Sequence, residues 1–146
     1  MTLLIIGAGG HGKVVAETAE ACGYQISFLD DNSPEAVGTL SEIEKLAPQY
    51  DAVFVAIGHN ETRKAITDRV GECITLIHPT AYVSPSATIG PGTFIAPHAA
   101  VNANVIISRG CIVSLGAIVD HDAVIGDYTH IDAGVVCKSR SRVRNL

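Results

Sequence analysis

The chain of 146 residues has no tryptophan, three phenylalanines and four tyrosines, and charged side chains make up only 17 % of it. That scarcity excludes a core organised around large rings, so the interior must be aliphatic and small. Hydrophobic residues at 47 % exclude a disordered chain. The net charge of −5 argues against a nucleic-acid binder, which needs a basic face for phosphates. No apolar run reaches the roughly 18 residues of a membrane span, and Leu3–Ile6 lacks the length and basic flank of a signal peptide. Cys22, Cys73, Cys111 and Cys137 form no CxxC pair and no framework spacing, so they read as small buried hydrophobes of a reducing compartment. A cytoplasmic protein with neither a metal centre nor a membrane span is expected.

What is present divides into two halves with different periods. In the first, short apolar runs alternate with helical patterns, which predicts a small α/β unit. Leu3–Ile6 reads as a strand buried on both faces, followed by a glycine-rich turn and a helix from Gly12 to Cys22 that Gly23 stops. Ile26–Leu29 is a second strand, closed by Asp30-Asp31-Asn32. Ser41-Glu42-Ile43-Glu44 has capping-box spacing and opens a short helix ending near Pro48. Ala52–Ile57 is a third strand, Asn60 caps a helix running to Val70, and a fourth short strand is expected over Cys73–Ile77.

From Ile77 the period becomes six. Aliphatic residues stand at Ile77, Val83, Ile89, Ile95, Val101, Ile107, Val113, Val119, Ile125 and Ile131. Four residues after each stands a small or β-branched one, from Ala81 and Ala87 through Thr129 and Val135. Six matches neither a helix at 3.6 nor a free strand at 2. It fits a triangular solenoid in which each hexapeptide makes one face, the aliphatic side chain points inward and the small residue fits the corner. Three hexapeptides make a coil, and coils stack at about 4.8 Å.

The repeats, IGPGTF-IAPHAA-VNANVI-ISRGCI-VSLGAI-VDHDAV-IGDYTH-IDAGVV, resemble the hexapeptide acyltransferases. With LLIIGAGGHGKVV, FLDDN and FVAIGHNETRKAI before them, the chain is similar to the sugar O/N-acetyltransferases that include sialic acid O-acetyltransferases and UDP-4-amino-sugar N-acetyltransferases. The resemblance implies a half-Rossmann-like α/β domain over 1–76 that binds a nucleotide-sugar or sugar acceptor. It implies a left-handed parallel β-helix over 77–137, against the usual right-handed crossover. It further implies a homotrimer with acetyl-CoA lying between neighbouring solenoids, and a product that feeds surface glycan synthesis.

Gly7-Ala8-Gly9-Gly10-His11-Gly12 matches GxGxxG between a strand and a helix, with Asp30 and Asp31 about twenty residues on. Taken alone this is a dinucleotide fingerprint, with glycines that let the backbone approach a pyrophosphate. A dinucleotide fold uses two βαβαβ halves, and only one fits before the repeats begin. Three readings stay open: a nucleotide-sugar or sugar held by Gly9, Gly10, His11, Gly12, Asp30, Asp31, Gly58, His59 and Asn60; a tight turn only; and a dinucleotide.

Acetyl transfer from a thioester needs a base to take the acceptor's proton, and a histidine titrating near neutrality suits that task. His121 sits two residues after an inward aliphatic and hence outside, and Asp122 beside it can orient the ring. The resemblance carries the catalytic base onto His121, its acidic partner onto Asp122, and an acetyl-CoA contact onto His130. Nine residues separate the two histidines, which places them on adjacent faces and favours a site at a subunit boundary. His11 and His59 are placed to touch the acceptor, whereas His78 and His98 read as surface polar residues.

The chain departs from the family in two places. Ser114 stands where the family often has Asn in the coil before the catalytic one. After Cys137 the hexapeptide pattern is expected to stop, leaving 138–146 as a basic tail with four of the ten basic side chains, Lys138, Arg140, Arg142 and Arg144. Family members continue for further coils, so a shortened solenoid of just over three coils with compromised activity is expected. The rival expectation is a trimeric homologue that binds nucleotide sugar without turnover.

Overall fold

A computed structural model describes residues 1–144. β1 (Thr2–Ile6), β2 (Gln25–Leu29) and β3 (Ala52–Val55) form a parallel sheet in the order β2-β1-β3. Leu3, Leu4, Ile5 and Ile6 are all buried because β1 lies in the middle with both faces covered. Leu3 and Ile5 pack with Val15 and Ala19 of α1 (Gly10–Ala21). Leu4 and Ile6 pack with Ile43 of α2 (Ile43–Leu46) and Ile66 of α3 (Asn60–Val70).

Several local expectations shift. The capping box joins Thr39 to Glu42 and opens a 3-10 turn at Leu40–Glu42, ahead of α2. His59, not Asn60, caps α3: its Nδ1 accepts from the Thr62 amide at 3.2 Å. Cys73, Cys111 and Cys137 are buried, but Cys22 is exposed. Among the described residues no fourth strand joins the first sheet. Leu76–Ile77 is a strand, β4, and it pairs with Phe94–Ile95, so the solenoid begins there.

Twelve two-residue strands, β4 to β15, follow at intervals of six and form three four-stranded parallel sheets. The first face stacks Leu76–Ile77, Phe94–Ile95, Ile112–Val113 and His130–Ile131. The second stacks Tyr82–Val83, Ala100–Val101, Ile118–Val119 and Val136–Cys137. The third stacks Thr88–Ile89, Ile106–Ile107, Val124–Ile125 and Arg142–Val143. The whole is a half-Rossmann-like α/β unit followed by a left-handed parallel β-helix.

The ladder runs past Cys137, which corrects the reading of 138–146 as a non-repeat tail. Arg142–Val143 pairs in parallel with Val124–Ile125. Val143 stands six residues after Cys137 and packs against the solenoid core, and Ser141 takes the small corner position. Lys138, Arg140 and Arg142 are therefore outward residues of a fourth coil, and only 145–146 of the expected tail lie outside the described residues.

Two regularities hold the corners. From Ile89 onward the third residue after each inward position adopts positive φ, at Gly92, His98, Asn104, Gly110, Gly116, Asp122, Tyr128, Gly134 and Arg140. At Gly110 no other residue fits, because a Cβ would meet the Tyr128 ring at 2.2 Å. At the corner leading into the first face, side-chain donors cap the carbonyl fifteen residues on: Thr75 to Gly90 (2.8 Å), Thr93 to Ser108 (3.0 Å), Cys111 to Gly126 (3.1 Å) and Thr129 to Arg144 (3.3 Å). Each supplies a hydrogen-bond donor to a corner carbonyl.

The α/β unit sits on the first face. Leu76, Phe94, Ala96 and Ile112 belong to the same buried cluster as Leu3, Val15, Phe28 and Phe54. One continuous apolar core thus joins the two parts.

Candidate functional site

The glycine loop separates into two kinds of glycine. Gly7 has φ +109° and abuts the Ala56 carbonyl, and a Cβ on Gly12 would lie 2.1 Å from the Gly7 carbonyl oxygen. Those two let the helix start press onto the end of the sheet. Gly9 and Gly10 are exposed, with nothing within 4 Å of an added Cβ. They open α1, whose first turn carries neither an acidic side chain nor a side-chain cap. Its amides and dipole favour an anionic group there.

Asp30 and Asp31 serve the loops around them. Asp30 Oδ2 accepts from the Ala8 amide and Oδ1 from the Asn32 amide, each at 2.8 Å, and these bonds hold its carboxyl below the usual range. Asp31 Oδ1 accepts from the Leu40 amide at 2.8 Å. Gly58, His59 and Asn60 form the loop at the end of β3. The His59 cap and an Asn60 side chain that accepts from Arg63 at 2.8 Å hold it in place.

His11 reaches from α1 onto the first face. Its ring meets Phe94 edge-on at 5.6 Å between centroids and lies 6.5 Å from the His130 ring. His130 Nε2 is 3.2 Å from Ser114 Oγ and 3.6 Å from Asp132 Oδ1. His11, His130, Phe94, Ser114, Leu115 and Ala133 line a cavity of about 190 Å³. His11 Nε2 is buried there without a hydrogen-bond partner. Burial, then the neighbouring His130, then Arg63 push the His11 pKa down to about 4, so the ring is neutral at physiological pH.

His121 and Asp122 stand elsewhere, at the corner between the second and third faces. His121 Nδ1 is 2.8 Å from Asp122 Oδ2, with both side chains about 40 % exposed (40 % and 43 %). The backbone places the pair. Asp120 Oδ1 accepts from the His121 amide at 2.7 Å and from Asn102 at 3.1 Å, and Asp122 adopts φ +62°. Nδ1 is thereby engaged, which leaves Nε2 as the other ring nitrogen of a part-exposed side chain. The structure thus gathers His11 and His130 beside Gly9 and Gly10, whereas the width of the second face separates them from His121 within one chain. A cavity of about 370 Å³ on the other side of α3, lined by Asp68, Glu72, Arg109 and Tyr128, contains none of the expected site residues. Among the described residues no group of three or more His, Cys, Asp or Glu is arranged to hold a metal ion, and no helix is long and apolar enough to cross a membrane.

The same architecture occurs in the acetyltransferase domain of PglB from Neisseria gonorrhoeae FA1090: 34 % identity over 99 % of this chain and 85 % of that one, with a TM-score of 0.83. The chain belongs to this family of sugar acetyltransferases. Residues 2–70 match the model of the PglD N-terminal domain. PerB from Caulobacter crescentus, solved with CoA and GDP-perosamine, is 35 % identical over 89 % of this chain and 68 % of that one, with a TM-score of 0.80. UDP-N-acetylbacillosamine N-acetyltransferase of Bacillus subtilis (strain 168) is 38 % identical over 97 residues, which cover 55 % of this chain and 44 % of that protein. The match therefore spans less than half the length of that curated protein.

Arg63 and Phe94 escaped the sequence reading. An arginine at Arg63 reads as solvent-facing on a short helix, and Phe94 occupies an outward repeat position. The available signal for Phe94 was its neighbours in register, Leu76 and Ile112, which are also large and apolar.

Proposed function

We propose that the protein transfers the acetyl group of acetyl-CoA to the amino group of a nucleotide-linked amino sugar, in a homotrimer whose sites form between copies. The observation that carries this reading is the His121–Asp122 pair, standing outward at a solenoid corner of a chain that matches sugar acetyltransferases from end to end. His121 Nε2 takes the proton from the acceptor amine as its nitrogen attacks the thioester carbonyl. The C–N bond forms, the C–S bond breaks, and the departing thiolate is protonated. Asp122 holds the imidazole by Nδ1 and stabilises the imidazolium. No enzyme nucleophile is needed, because the thioester is already activated.

Two further features support an intermolecular site. The second face carries Tyr82, Ala100, Ile118 and Val136 outward, and three of these are more than 40 % exposed, as are Leu115 and Val135 beside it. An apolar stripe of this kind suits burial against another copy. Such packing would bring one copy's His121 toward its neighbour's His11 and His130. Lys138 and Arg140, one coil above Asp120 and Asp122, supply positive charge for the donor's phosphates. The exposed start of α1 and the Gly58–Asn60 loop suit the diphosphate of a nucleotide sugar. N-acetylation is favoured over O-acetylation by the B. subtilis relative, and a nucleotide-linked amino sugar by PerB.

The test is thiol release from acetyl-CoA with UDP- and GDP-linked 4-amino-4,6-dideoxy sugars, run beside sedimentation. Turnover by a trimer that His121→Ala reduces by about 10²–10⁴-fold is expected. Full activity in a monomer, or an unaffected His121→Ala, overturns the reading. Acceptor binding without turnover leaves a sugar-binding scaffold instead.

A further inference from the structure

Arg63 is the largest fully buried side chain, 1 % exposed, and it stands in the first turn of α3 at the seam between the two parts of the chain. Its Nε donates to the Gly110 carbonyl at 2.7 Å. Nη1 donates to the carbonyls of Ile57 and Gly58, both at 3.0 Å. Nη2 donates to Asn60 Oδ1 at 2.8 Å and to the Tyr128 carbonyl at 2.9 Å. A guanidinium has five N–H groups, and all five are engaged.

Two properties of this arrangement exceed what a stabilising staple needs. The acceptors fall into two sets: Ile57, Gly58 and Asn60 are the loop at the end of β3, whereas Gly110 and Tyr128 are equivalent corners of successive coils. The fork therefore fixes the loop to the solenoid directly. No carboxylate is among the acceptors, so the charge is balanced by carbonyl dipoles alone. Burying an ion in this way is costly, and an apolar side chain would fill the seam at lower cost. The unneutralised charge extends to His11, where it helps keep the ring neutral. In parallel α/β sheets ligands gather beyond the carboxyl ends of the strands, which is where this loop lies.

We propose that Arg63 is the positioning residue of the acceptor site: it fixes the Gly58–Asn60 loop against two coils and supplies positive potential for an acceptor carrying a nucleoside diphosphate. This rests on the functional reading above. Lysine cannot reproduce the fork, though it keeps the charge. Arg63→Lys is expected to raise the acceptor KM about tenfold while the acetyl-CoA KM stays within about twofold. Amide exchange across Gly58–Asn60 should accelerate in the same variant. A residue that only stabilises the fold would lower the melting temperature and leave that split absent.

Wild-type protein supplies a second measurement that does not depend on the variant folding. The Arg63 Nε–H resonance should shift when UDP or GDP is added, and should stay unmoved with acetyl-CoA. An Nε–H signal indifferent to both nucleotides, or acceptor and donor KM values that change together in Arg63→Lys, overturns the proposal. If the wild type neither binds UDP or GDP nor releases CoA with any acceptor, the functional reading fails first and the assignment of Arg63 falls with it. A working wild type with an unchanged acceptor KM in the variant removes the assignment alone.

Discussion

The first and second faces of the β-helix are built from the same backbone and carry similar outward ladders. Leu76, Phe94 and Ile112 on one are at most 2 % exposed, whereas Tyr82, Ile118 and Val136 on the other are 57 %, 43 % and 57 % exposed. The repeat dictates only what points inward. Whether an outward residue becomes core depends on what the rest of the chain lays over it, here α1 and β1 on the first face. The difference also sorts the chemistry. The covered face holds His11 and His130 in a low-dielectric cleft that depresses one of them, whereas the His121–Asp122 corner beyond the bare face remains in solvent.

The comparison breaks most visibly at Phe94. Phe94→Ala removes the ring that touches both His11 and Phe54, and should cost about 3–5 kcal/mol by denaturant unfolding. A loss below about 1 kcal/mol would mean that the α/β unit does not depend on the covered face.

Next comes the pH dependence of that face. The folded His11 pKa of about 4 lies below the unfolded value of 6.5. The unfolded chain therefore binds the proton first, and stability present above pH 6.5 falls as pH drops toward 4. The loss amounts to up to about 3 kcal/mol. His11→Asn should flatten that slope in urea titrations between pH 4 and 6.5, and an unchanged slope would assign it to other groups.

A smaller effect is expected at the corner beside the covered face, where Cys111 interrupts a column of threonines. Cys111→Thr replaces a weak thiol donor with a hydroxyl and should raise stability by about 0.5–1 kcal/mol in the same assay; destabilisation would show that the corner has no room for the branch. The bare face should respond least in stability. Ile118→Asp is expected to change monomer stability by under about 0.5 kcal/mol while abolishing the proposed trimer in sedimentation. A trimer that survives it would locate the interface elsewhere.

Much of this fold was legible because period six is imposed by geometry: ten inward aliphatics and their small partners name the solenoid without help from context. The final hexapeptide was misread because its exterior is Lys138, Arg140 and Arg142, which drew attention from the interior residues Cys137, Ser141 and Val143 that obey the rule. Arg63 was illegible for a different reason. Its burial depends on carbonyls 47 and 65 residues away, and no local pattern encodes such partners. The histidine cap at His59 was missed because asparagine is the commoner cap, and the residue beside it happened to be one.

Vertical stacking of residues eighteen apart, as in Phe94, Ile112 and His130, constrains how such a chain can change length. Inserting or deleting six residues preserves every inward aliphatic and every corner, so the interior would still pack. Yet each later residue would turn by one face, and His130 would leave α1 for a neighbouring side of the prism. The solenoid therefore tolerates length changes in sixes for folding, but only in eighteens for keeping the same side chains beneath the α/β unit. Natural indels upstream of His130 should accordingly come in whole coils.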